Sequence, residues 1–132
     1  MKNKISKTNN NRYDLKERTT VLAETILSLI KKTKANDVNK NIVAQLSRSG
    51  TSVGANYMEA DGAESRKDFE HKMSICRKEA KETMYWVRLL SGEDFINIEE
   101  CRKIWKEAQE LVFIFSAIIT SSRKNRIKKK IK

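Results

Sequence analysis

The chain has 132 residues, 39% of them hydrophobic, with four glycines and no proline. That length carries one domain with one core, and turn residues this sparse exclude a fold of many short strands. The net charge of +11 is confined to the ends: residues 1–12 hold four basic side chains and residues 123–132 hold seven, neither with an acid, while the body between has seventeen of each sign. Basic ends suit polyanions such as nucleic acid or an anionic surface; the plain alternative is that they only keep the chain soluble. The longest apolar run, Leu111 to Ile119, is interrupted by Ser116 and is far short of the ~20 residues that span a membrane. The N-terminus lacks the apolar segment of a secretory signal. Cys76 and Cys101 have no ligand-like spacing, which suits a reducing, cytoplasmic setting; sequence leaves a disulfide between them open.

In chain order, residues 1–12 are rich in Asn and Lys and predict a disordered segment. Asp14 is expected to cap a first helix running to about Lys34, with Leu15, Leu22, Ile26, Leu29 and Ile30 at helical spacing. Asn36 and Asp37 predict a turn and the cap of a second helix. That helix carries Val38, Ile42, Leu46, Val53 and Tyr57 on one side, and a polar stripe of Arg48, Ser52, Asn56 and Glu59 within about 80° beside them. Ser49, Gly50, Gly54 and Ala55 are small enough for another helix to approach closely. Gly62 ends the second helix, and Ser65 with Asp68 gives the start of a third.

The third helix has the cleanest periodicity in the chain: Phe69, Met73, Cys76, Ala80, Thr83, Val87 and Leu90, the seam of a bundle helix. A second stripe, Ile75, Glu79, Glu82, Trp86 and Leu89, lies about 120° away and predicts a subunit contact at Trp86. Ser91 and Gly92 stop this helix. Asn97 and Glu100 cap a fourth, whose stripe is Ile98, Cys101, Trp105, Ala108, Val112, Phe115 and Ile119. Phe113, Ile114 and Ile118 make its second half apolar on nearly every side, which again points to assembly. Residues 13–122 are therefore expected to form an all-α, up-down-up-down four-helix bundle, followed by a basic tail over 123–132 into which the last helix frays.

Catalytic chemistry finds little footing. A di-metal carboxylate site needs two Glu-x-x-His pairs, and the chain has a single histidine, His71, in Asp68-Phe69-Glu70-His71. One histidine and two core-facing cysteines give no nucleophile–base pair, and Gly50 and Gly54 follow no strand, so they form no phosphate loop. The expectation is a protein without enzymatic activity, cofactor or metal. Glu59, Glu79 and Glu82 are candidate partners of Arg48 in a structural or interface network.

The middle of the chain resembles a known bacterial family. The residues that carry the likeness run from Gln45-Leu46-Ser47-Arg48-Ser49-Gly50-Thr51-Ser52-Val53-Gly54-Ala55-Asn56 through Glu59-Ala60 and Gly62-Ala63-Glu64-Ser65. They continue with Asp68-Phe69, Lys72, Lys78-Glu79-Ala80, Glu82-Thr83 and Tyr85-Trp86. This pattern is similar to the four helix bundle proteins, also called large-subunit ribosomal RNA intervening-sequence proteins. The resemblance implies a ring-like homo-oligomer, a pentamer in similar proteins, and a connection to RNA through genes lying inside ribosomal intervening sequences. A structurally similar group serves retroelements and binds nucleic acid and a reverse transcriptase, which makes a protein of that kind a further expected partner. No enzyme activity comes with the family, and the basic tail lies outside its motif.

The expected function is association with nucleic acid, RNA above all, through Arg123, Lys124, Arg126, Lys128, Lys129 and Lys130. The contacts would be to phosphates, tolerant of sequence and dependent on salt. Arg48, Ser52, Asn56, Glu59, Glu79, Glu82 and Trp86 are the expected contacts between copies. The alternative is an oligomeric scaffold for a protein partner, with the tails incidental.

Overall fold

The computed structural model describes residues 14–131; the expected disordered segment over residues 1–12 and the last residue, Lys132, lie outside them. Four α-helices fill the described chain: α1 (Leu15–Lys32), α2 (Lys40–Asp61), α3 (Arg66–Leu90) and α4 (Ile98–Ile131). Their starts follow from side chains that satisfy the free N–H groups of a first turn. The Asp14 carboxylate accepts from the Glu17 N–H at 3.2 Å, Ser65 Oγ from Asp68 at 3.0 Å and Asn97 Oδ1 from Glu100 at 3.1 Å.

The start of α2 departs from expectation. Asp37 does not cap it, and Val38 is exposed rather than part of an apolar face. Asn36 instead accepts from the N–H groups of Val38 and Asn39, closing a tight turn. The helix begins only at Lys40. Asn39, fully buried, donates to the Lys34 carbonyl and to Glu93 at 3.1 Å each, and so ties this turn to the α3–α4 connection.

Neighbouring helices are antiparallel, and specific cross-links give the register. Arg18 meets Glu107 and Glu110 while Lys32 meets Glu100, so α1 and α4 run in opposite directions. Lys72 meets Glu59 while Thr83 donates to Ser49, which sets α3 against α2. Arg77 donates to Ser116 and Ser122 to Glu70, which sets α4 against α3. The core between them holds Leu22, Ile26, Leu29, Leu46, Val53, Met73, Val87, Leu90, Ile104, Leu111, Phe115 and Ile119, all nearly dry. The α3 seam read from sequence is buried from Met73 to Leu90, with Phe69 half-buried at its beginning.

Small residues on α2 let α1 in. A Cβ on Gly50 would collide with Ile26 Cδ1, and one on Gly54 would lie 3.1 Å from Thr19 Oγ1. The two glycines thus serve packing inside one chain. Both cysteines are free and buried. Burial pushes the Cys76 thiol up to about 12, and raises Cys101 as well.

Candidate nucleic-acid interface

An antiparallel bundle with an even number of helices returns the chain to the end where it began. The α2–α3 connection, the first turn of α3 and the last turns of α4 accordingly share one pole, while α1 begins further back, level with Glu107 and Glu110. The basic C-terminal stretch of the sequence lies there. No break separates residues 123–131 from the bundle: α4 continues through Ile131 as one helix of 34 residues. The helix continues past Ser122, as expected, and α3 still supports it at this level.

That support is Glu70. Its carboxylate is nearly buried, accepts from Ser122 Oγ at 2.8 Å, and takes a two-pronged contact from the Arg126 guanidinium at 3.1 and 2.9 Å. Arg123 Nε stands 4.0 Å away. The hydrogen bonds from Arg126, with that of Ser122, hold the Glu70 carboxyl below its ordinary value. Two of the cations expected to contact phosphate are therefore engaged within the chain. Lys124, Lys128 and Lys129 stay exposed on α4. The backbone of Lys130 continues the same helix.

Glu70 was missed by sequence reading, which saw the Asp68–His71 run only as a metal fragment. Its partners lie more than fifty residues away, beyond the reach of any periodicity. The remaining signal was the alignment of Ser122 and Arg126 four residues apart on one face of α4.

Two shallow clefts flank this pole. One, of about 300 Å³, is lined by Arg66, Phe69, Ala117, Ile118, Ser121, Ser122 and Asn125. The other, of about 390 Å³, is lined by Ala63, Glu64, Ser65, Arg66 and Phe69. A third, at the opposite pole, lies between α3 and α4 beside Arg88, Arg102 and Trp105.

The polar residues expected at a subunit contact find partners inside the chain. Arg48 donates to Glu79 at 3.0 Å, to Glu82 and to Gln45. Glu59 pairs with Lys72 rather than with Arg48. Ser52 donates to the Arg48 carbonyl and Asn56 to the Ser52 carbonyl, each one turn back along α2. Trp86 packs half-buried against the core with its ring edge-on to Tyr85, centroids 4.9 Å apart. Its indole N–H is the one buried side-chain polar group that finds no acceptor among the described residues. Outward-facing apolar side chains include Tyr85 and Leu89 on α3, Val21 and Leu27 on α1, and Phe113 on α4, which is 64% exposed. Among the described residues, no helix is long and apolar enough to cross a membrane.

Comparison with known proteins agrees with this architecture. The family described as 23S rRNA-intervening sequence protein matches residues 11–117. A solved structure from Bacteroides thetaiotaomicron, described as a protein with unknown function from the S23 ribosomal protein family, is 36% identical. It superposes with a TM-score of 0.71 over 80% of this chain and 97% of its own. No curated protein matches. The matched span takes in α1, α2, α3 and most of α4, and on that basis the chain belongs to the 23S rRNA-intervening sequence protein family.

Proposed function

We infer that the protein is a non-enzymatic, homo-oligomeric helical bundle of the cytoplasm that associates with RNA through its basic pole. The observation that carries this reading is the row of exposed cations on the last turns of α4, Lys124, Lys128 and Lys129, at one end of the bundle. The family's tie to 23S rRNA intervening sequences makes RNA the polyanion of choice. Lys124, Lys128 and Lys129 stand exposed on one rigid helix that Glu70 pins to α3. A helix advances about 1.5 Å per residue, so the turns beyond Arg126 reach roughly 8 Å further. Contacts of lysine with phosphate are sequence-tolerant and release counterions, which makes them sensitive to salt.

The outward apolar residues on α1, α3 and α4, which a monomer would leave in water, support assembly. A ring of copies, five as the family likeness implies, sets several basic poles side by side and multiplies weak contacts into avidity. The same apolar residues would suit a foreign protein partner, the scaffold reading, but that reading leaves the exposed lysines of α4 without a role. The suppressed thiolates of Cys76 and Cys101 support a protein without a cysteine nucleophile.

Purification at low salt without nuclease tests the reading. RNA is expected to accompany the protein and to leave on raising the salt, and light scattering is expected to give a multiple of the chain mass of 15.3 kDa. A nucleic-acid-free monomer that fails to retain added RNA would contradict it.

A further inference from the structure

We propose that the groove between the first turn of α3 and the last turns of α4 takes an unpaired nucleobase, so that the basic pole prefers single-stranded over duplex RNA. This rests on the RNA reading above and adds a base-contacting site to it. Arg66 and Phe69 are three residues apart, on one face of α3, and line both clefts at this pole. Phe69 is only half-buried, and with Ala117 and Ile118 it gives the groove an apolar floor. Ser121 and Asn125 stand on the rim with hydrogen-bonding side chains.

The charge around the groove is complementary to a nucleotide. At 100° per residue, Ile118, Ser121, Asn125, Lys128 and Lys129 fall within an arc of about 100° on α4. The groove face of that helix therefore runs straight into two exposed lysines. Arg66 lies across from them on α3. Arg123 and Arg126 point to the other flank, where Glu70 holds them. Glu64, which lines the second cleft and not the first, is the only carboxylate among the residues lining the two.

An aromatic ring beside a line of cations is how single strands are held without sequence preference: the base stacks and the backbone follows the charge. A base within an A-form duplex cannot enter such a groove, because its face is covered by its neighbours.

The test uses the full-length protein with labelled oligouridylate and with an RNA duplex. Two variants probe the groove: Phe69→Leu, which removes the ring but keeps an apolar side chain, and Ser121→Gln, an uncharged change at an exposed position that fills the groove without touching the core. Each is expected to weaken oligouridylate binding roughly tenfold, the effect of losing one stacked base, and to leave duplex binding within about twofold. Photocrosslinking through 5-iodouridine is expected to label the peptide that contains Phe69. Steep, salt-sensitive binding of oligouridylate that both variants leave unchanged would overturn the groove and spare the basic pole. Crosslinks confined to Trp105 at the opposite pole would overturn it too. Failure of both RNA forms to bind at low salt would overturn the groove and the RNA reading together.

Discussion

Replacing Gly50 with alanine tests whether the small residues of α2 exist for packing within the chain. A methyl at this position collides with Cδ1 of Ile26, while Cγ2 and Cγ1 of that residue lie at ordinary contact, 3.4 and 3.5 Å. Ile26 is fully buried, so swinging its flexible end aside must displace neighbouring core atoms. Overpacking of this kind costs about 1–3 kcal/mol, and the better helix propensity of alanine returns about 1. Gly50→Ala alone is thus expected to destabilise by about 1 kcal/mol. Ile26→Val alone deletes the offending methyl and leaves a small void, costing about 1 kcal/mol. Together the two changes fit: the new methyl fills the space that Cδ1 leaves, and the double variant is expected near wild-type stability. The coupling of about 2 kcal/mol stands well above the ~0.5 within which independent sites add. Urea unfolding followed by circular dichroism, at one protein concentration and with unchanged slope, measures it. Additive losses would refute the close approach of α1 and α2, and would return the glycines to a role at some other surface.

Further outcomes follow from the ion pairs and thiols. Glu70 has a folded-state pKa below its ordinary value of 4.5, so its contribution is present above that pH and is lost as the pH falls through the folded value. Glu70→Gln is expected to lessen the acid destabilisation seen below about pH 4.5 and to speed amide exchange in the last turns of α4 at neutral pH. Exchange unchanged there would show that the carboxylate does not hold the helix end. Arg48→Ala removes a partner that is itself 45% exposed from Glu79, which is 8% exposed; after allowance for solvent screening the loss is about 1 kcal/mol or less. Its oligomer mass is expected to match wild type by light scattering, and dissociation would place Arg48 at a subunit contact after all. Cys76 and Cys101 are expected to resist iodoacetamide in the native protein and to react in denaturant, since burial suppresses both thiolates.

The bundle could be read from sequence because its signals are local. The seven-residue seam of α3, the caps at Asp14, Ser65 and Asn97, and Gly62 after α2 each act within a turn or two of chain. Asn36 closes the expected turn, but Asp37 misled, because an acid just after a turn looks like a helix cap; the contacts of Asn39 with Lys34 and Glu93 carry the turn on to Lys40. The candidate site was half legible. A run of lysine and arginine announces a polyanion surface, but which of those cations is free depends on Glu70, placed opposite by the fold. The groove at Phe69 was hidden for the same reason: its walls come from stretches about fifty residues apart. Phe69 itself read as the first residue of the core seam, and half of it is.

The most direct measure of the central claim is the salt dependence of RNA affinity for the wild-type chain beside a Lys124→Gln, Lys128→Gln, Lys129→Gln variant. Binding is expected to fall steeply between about 50 and 200 mM salt, and the variant's logarithmic slope on single strands to be shallower by about 2, near 0.7 for each lost phosphate contact. Equal slopes and equal affinities for the two proteins would contradict the assignment of this pole to RNA.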